Sequence, residues 1–353
     1  MTHPEDNPRL KKNNFDLLRL IFAGMVCLVH ANELSPHTSL RWISQVLSSE
    51  LAVRSFFVVS GFLIFMSYER STSLASYAGK RIRRIYPAYF AVVMLAALLM
   101  VFFSSKPPAD YFFSSDWFKY IAANLVFLNF IHPTLPGLFE ANRFSAVNGA
   151  LWTLKVEALF YIAVPLFVFF FRKFSSAAVI VFSYFFSVTY ALMMTNLSAR
   201  TGNPLYADLG HQLPGQLAYF LSGAFLYYHL DLFERQAAYF LTGAALVLIA
   251  DRSYSLPFLE PFALAIVVVF FGLFLYVGNF GKYGDFSYGT YILHFPIIQV
   301  LVQEGVFADN PYLYLLTAVA FTLASAVLMW HGVEKRFLAR SSHYIANSQK
   351  AAQ

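Results

Sequence analysis

Apolar residues in this chain cluster in long unbroken runs rather than in the narrow stripes of a water-soluble helix. Ten such runs fall near 15–33, 51–68, 85–105, 150–171, 175–196, 213–230, 237–251, 257–278, 285–303 and 311–331. About 20 apolar residues in a helix cross a ~30 Å hydrocarbon core. The pattern predicts an all-α, polytopic integral membrane protein with about ten transmembrane helices. One further segment, YIAANLVFLNFI at 120–131, is too short to span. It reads as a short re-entrant or interfacial helix near 118–131, inside the largest external loop, 106–149.

Composition sharpens this picture. Hydrophobic residues make up 58% of the 353 and charged residues 12%, against about 25% charged in a soluble domain. No repeat or linker interrupts the runs, so one transmembrane domain over 15–333 is expected, between an N-terminal tail (1–14) and a C-terminal tail (334–353). The polar start MTHPEDNPRLKKNN leads into a run with no small-x-small cleavage site, which reads as an uncleaved first span. Cys27 is the single cysteine, so neither an intramolecular disulfide framework nor a cysteine-based metal site is expected, and no metal site is read elsewhere.

Charge sets sidedness. Of the 25 basic residues, Arg19 and Lys155 are counted on neither side, and seven (Arg41, Arg54 at the external edge of its run, Lys106, Lys119, Arg143, Arg200, Arg252) fall on one side. The other sixteen fall on the side of both termini, among them Lys80, Arg81, Arg83, Arg84, Arg172, Lys173, Arg340 and Lys350. The positive-inside rule makes that side cytoplasmic. The net charge of +6 is thereby accounted for by topology, with no nucleic-acid partner implied.

A charged residue at the centre of a span costs ~2.5–3.5 kcal/mol, so each one needs a partner, a water-filled cavity or a task. In FDLLRLIFAGMVCLVH (15–30), Arg19 and His30 are eleven positions apart. At ~100° and ~1.5 Å per residue they share one stripe, ~16 Å apart along the axis. Asp16 can pair with Arg19. Taken alone, Arg19 also reads as a snorkelling anchor and His30 as a boundary residue.

In LWTLKVEALFY (151–161), Glu157 lies inside the external end of its run; it can orient His30, bind an acceptor hydroxyl or bond a neighbouring helix. Lys155, ~200° away, is no partner for it. Trp152 reads as an interface anchor. In FSYGTYILHFP (286–296), Ser287, Tyr291 and His294 share a face, and a histidine satisfied by a tyrosine or a carbonyl is the ordinary outcome there. Lys80, Arg81, Arg83 and Arg84 read either as an anchor for anionic membrane lipids or, through the one-turn spacing of Arg81 and Arg84, as a grip on a phosphorylated ligand. In FFVVSGFLIF (56–65), Ser60 and Gly61 signal close helix packing before a serine nucleophile.

The set divides into a cytoplasmic group (Arg19, Arg81, Arg83, Arg84) and an external one (His30, Glu157), which suggests chemistry across the bilayer. Imidazole is the natural base for acyl transfer, although composition does not separate acyl transfer from transport.

FDLLRLIFAGMVCLVH, FFVVSGFLIF, KRIRRIYPAYF, LWTLKVEALFYI, SYGTYILHFP and the closing VEKRF together resemble, in order and over nearly the whole chain, the type 3 membrane acyltransferases. Members O-acylate surface polysaccharides, lipopolysaccharide and related glycans. The resemblance implies His30 as base, with Arg19 as a donor-side contact and Arg81 and Arg84 on the acyl-CoA donor. It puts Trp152 and Glu157 on the tryptophan–glutamate motif, and Ser60 and His294 on further motif positions. Leu17 departs from the usual glycine, and Lys155 stands where a small residue is frequent and would bear on acceptor choice. The hydrolase-like extracytoplasmic domain that some relatives carry is not expected here, since the sequence runs only a short way past its last apolar run.

The reading that follows is an inner-membrane O-acetyltransferase with acetyl-CoA as co-substrate, no tightly bound cofactor, and a glycan or lipid-linked saccharide as acceptor. The competing class is a transporter or flippase of lipid-linked sugars.

Overall fold

Hydrocarbon offers a peptide group no water to bond, so a chain this apolar satisfies its backbone within helices. The computed structural model describes residues 7–339, Ser342 and Tyr344, and among these it is helix and turn with no strand. Residues 1–6 and the predicted tail's Arg340 and Lys350 lie outside the described set. Eleven helices of ten residues or more are described: α1 (Phe15–Leu34), α2 (Ser49–Glu69), α3 (Leu74–Leu99), α4 (Ser115–Leu125), α5 (Trp152–Lys173), α6 (Ser176–Thr201), α7 (Leu213–Tyr228), α8 (Ala237–Tyr254), α9 (Glu260–Leu273), α10 (Ser287–Gln303) and α11 (Pro311–Met329).

Six helical segments are long and apolar enough to cross a membrane: Phe15–Leu34, Thr38–Glu69, Leu74–Phe103, Gly149–Lys173, Ser176–Thr201 and Pro311–Phe337. The protein is a helical multi-pass membrane protein. The other four predicted runs are helical too, as α7 to α10, but fall short in length or hydropathy.

The boundaries moved where local chemistry overrides hydropathy. Helix α3 begins eleven residues before the run at 85, because Lys80, Arg81, Arg83 and Arg84 are good helix formers. Helix α4 starts earlier than expected, capped by the Ser114 side chain on the Asp116 N–H. It stops at Leu125, since Phe127 takes a left-handed φ of 63° and the Leu128 N–H turns back to the Ala123 carbonyl.

Contacts divide the chain into two units. The first comprises Met1–Arg19, Val53–Ala78 and Val156–Asn279. Here α2 and α7 approach backbone to backbone: a Cβ on Gly61 would run into the Phe220 carbonyl, and one on Gly223 into the Val58 carbonyl. The small-residue reading of Gly61 holds, and the approach is the kind seen where helices pack in lipid. Helix α9 ends against Asn14, which is 3% exposed. The Asn14 side-chain amide donates to the Phe271 and Leu275 carbonyls and its Oδ1 accepts from the Val277 N–H. Carbonyls orphaned at a helix terminus are thus satisfied without water. Arg54 pairs with Glu260 at 3.7 Å, and the Tyr219 hydroxyl donates to the same carboxylate.

The second unit comprises Leu20–Ala52, Gly79–Lys155 and Phe280–Gln353. Helix α10 crosses α11 where Gly289 meets the Ala326 backbone. At its C-terminal end α10 holds the loop before α5. Gln299 donates to the Phe144 and Ala146 carbonyls and accepts from Asn142; Gln303 donates to Phe103 O and accepts from Phe139 N. Asn148 donates to the Ile292 carbonyl at 2.8 Å.

Because a backbone carbonyl fills the space beside each glycine, Gly61→Ala or Gly223→Ala should destabilise the α2–α7 crossing by about 1–3 kcal/mol, as overpacking does. Thermal unfolding of the purified variants in detergent checks this, and an unchanged midpoint for both would show that the helices separate at little cost.

Candidate functional site

Helix α1 is uninterrupted from Phe15 to Leu34, so Asp16, Arg19 and His30 ride on one helix as the spacing required. Arg19 and Asp16 fall in the first unit and His30 in the second. All three are half-buried.

His30 meets a residue whose face was read but whose partner was not. Its Nδ1 lies 2.8 Å from Nε2 of His294 on α10, 264 positions later. The ring centroids stand 5.1 Å apart with planes 16° from parallel. That centroid distance equals the N···N contact plus two ring radii, so the rings are end to end and nearly coplanar. His294 is fully buried, and its other nitrogen, Nδ1, is 3.2 Å from the Thr290 carbonyl. Phe295 stands edge-on to His30 at 5.5 Å, and Tyr291 packs on His294 at 5.9 Å. Tyr291 shares a 2.8 Å hydroxyl contact with Thr153. The expectation that a carbonyl satisfies His294 is met at Nδ1; the second histidine was not foreseen.

Glu157, in the first unit, is held by its own helix and by α2. Tyr161, one turn on, donates to its Oε1 at 2.6 Å, and the Ser60 hydroxyl does so at 3.4 Å. Ser60 therefore donates to a carboxylate. Tyr161 is fixed in turn by Tyr77, whose hydroxyl donates to the Tyr161 carbonyl at 3.0 Å. Trp152 is half-buried at the start of α5, after a turn capped by Asn148, and Lys155 lies 4.4 Å over the Phe130 ring.

The basic cluster separates by burial. Arg83 is exposed and Arg81 half-buried on α3, whereas the Arg84 side chain is 12% exposed and enclosed by acids. It pairs with Asp285 and, at 3.5 Å, with Glu334, each side chain 1% exposed. Tyr344 donates to Asp285 at 3.1 Å, Ser287 bonds the other Asp285 oxygen, and the Arg84 guanidinium lies 5.9 Å from the Tyr288 ring and 5.6 Å from the Tyr344 ring. Arg84 thus ties α3 to the start of α10 and the end of α11. Sequence reading missed Asp285, Glu334, Gln299 and Gln303. An acid just before a span, another in VEKRF, and two glutamines one turn apart at the end of an apolar run were the available signals.

Among the described residues no group of three or more His, Cys, Asp or Glu side chains is placed to hold a metal ion. The second unit offers a half-buried imidazole with an aligned neighbour and a basic surface on α3; the first offers a carboxylate fixed by Tyr161 and Ser60.

A family profile described as "Acyltransferase domain" matches residues 12–331. The chain is similar to "Nodulation protein 10" of Rhizobium leguminosarum bv. viciae, 29% identical over 92% of each chain. It is also similar to the "O-acetyl transferase" of Shigella phage Sf6, 29% identical over 94% of this chain and 98% of that one. No solved structure matches it significantly.

Removing one member of a buried ion cluster strands the others. Asp285→Leu should cost about 3–5 kcal/mol, and the triple variant Arg84→Met/Asp285→Leu/Glu334→Leu should recover part of that. Unfolding midpoints of the two proteins give the comparison, and a triple variant less stable than Asp285→Leu would rule out this account of the cluster.

Proposed function

The chain belongs to the type 3 acyltransferase family, and on that premise we propose that it moves an acetyl group from cytoplasmic acetyl-CoA to a sugar hydroxyl of a cell-surface or lipid-linked glycan. That it is an acyltransferase follows from the family, which removes the flippase as a rival. The O-acetyl transferase relative supports the choice of acetyl group and of an oxygen acceptor.

The observation that carries the mechanism is a half-buried histidine on a membrane helix that also bears an arginine. His30 acts as general base. It takes the proton of the acceptor hydroxyl while that oxygen attacks the thioester carbonyl carbon. As the tetrahedral intermediate collapses, the carbon–sulfur bond breaks and the proton held by His30 passes to the departing thiolate, giving an O-acetyl sugar and CoA. Glu157 serves as an acceptor contact: both of its hydrogen bonds among the described residues fall on Oε1, so Oε2 is assigned to a sugar hydroxyl, with Trp152 as a stacking surface for the ring.

Arg19, Arg81 and Arg83 contact the CoA phosphates, a task suited to guanidinium forks. Arg84, enclosed by Asp285 and Glu334, supports them. The ten predicted spans with both termini in the cytoplasm, in the cell inner membrane, complete the proposal, because that topology puts the basic cluster on the side where acetyl-CoA is made. A host glycan, acetyl-CoA and membrane lipids are the partners.

Membranes of the source strain lacking the gene, supplied with each variant and radiolabelled acetyl-CoA, test the assignments together. His30→Ala should abolish acetyl transfer to the glycan fraction, and full transfer by it would end the role of His30 as base. Arg81→Ala and Arg83→Ala should each raise the KM for acetyl-CoA about tenfold, the size of one lost charge-assisted contact.

A further inference from the structure

The contact between His30 and His294 fixes where the protons are. A backbone carbonyl only accepts, so His294 Nδ1, facing the Thr290 carbonyl, carries a hydrogen. His294 is fully buried, with the Thr290 carbonyl and His30 as its hydrogen-bond partners. A buried cation with no acid beside it is too costly to hold, so the imidazole is neutral and its remaining nitrogen, Nε2, is an acceptor. Nε2 faces His30 Nδ1 at 2.8 Å, so His30 Nδ1 is the donor. The proton of a neutral His30 is then on Nδ1 and the lone pair on Nε2.

We propose that His294 is the positioning residue of the acyl transfer, holding His30 in the tautomer whose Nε2 is free to take the acceptor's proton. The inference rests on the reading of His30 as base. The end-to-end, nearly coplanar rings aim Nε2 of His30 away from His294, and the edge-on Phe295 ring limits rotation of the imidazole.

When His30 gains the hydroxyl proton, its Nδ1–H···Nε2 bond to His294 becomes charge-assisted and shortens. The bond is therefore stronger in the transition state than before it, the condition for raising the rate. A carboxylate does this in serine hydrolases; here a neutral ring anchored to a helix carbonyl does it. Glu157, bonded to Tyr161 and Ser60, is left for the acceptor.

The prediction separates from the one it rests on. In the membrane assay His294→Leu, which has no acceptor for Nδ1–H, should slow initial acetyl transfer roughly 10²-fold or more, within the range seen when an orienting group is lost. His294→Gln puts an amide oxygen where Nε2 was and should stay within about tenfold of the unmodified protein. Full activity of His294→Leu, with His30→Ala inactive, would overturn the positioning role and leave His30 as base.

Should both variants fail to fold, ¹⁵N-histidine NMR of the unmodified protein in lipid bilayers decides, with His30 assigned through His30→Gln. A protonated Nδ1 and bare Nε2 on His30 is the expected pattern, and a proton on Nε2 in the resting protein would refute the inference.

Discussion

A polar side chain inside a membrane protein has to find its partner among other side chains or exposed carbonyls, and helix α10 is where the second unit meets that requirement. From Asp285 at its start to Gln303 at its end, its polar groups bond in turn to Arg84, the Ile85 carbonyl, Thr153, His30, and the loop at 139–148. One helix therefore registers α3, α1, α5 and the long loop against a common ruler. The histidine contact inherits its geometry from neighbours along α10 that have no chemistry to perform.

Much of this was legible in one dimension. Runs of apolar residues gave the helices, because length and hydropathy are properties of a single segment. The stripe of Arg19 and His30, the close packing at Gly61 and the shared face of Tyr291 and His294 were readable for the same reason. What stayed hidden lies between segments. Arg84 was assigned by its spacing from Arg81, yet its burial is decided by acids 201 and 250 positions away. Spacing gives the face of a helix but not which helix it meets. Helix ends slipped where capping outweighed hydropathy, at Ser114 and at Asn14, whose side chain closes a helix more than 250 residues later.

The two units solve the same problem with different means. In the first, glycines let α2 and α7 touch through their backbones, and polar side chains on them are gathered onto carboxylates, Arg54 and Tyr219 on Glu260 and Ser60 on Glu157. In the second, beside the Gly289–Ala326 approach, polar side chains reach backbone carbonyls: Gln299 those of Phe144 and Ala146, Gln303 that of Phe103 and Asn148 that of Ile292.

The partnership of two neutral rings also bears on how the chain is made. His30 is synthesised 264 residues before His294, and at ~5–20 residues per second α1 waits in the bilayer for tens of seconds before α10 exists. A pair built from a carboxylate and an imidazolium would leave one bare charge stranded in lipid for that interval. An uncharged imidazole can wait at that position, and it acquires its proton geometry only once α10 has been made.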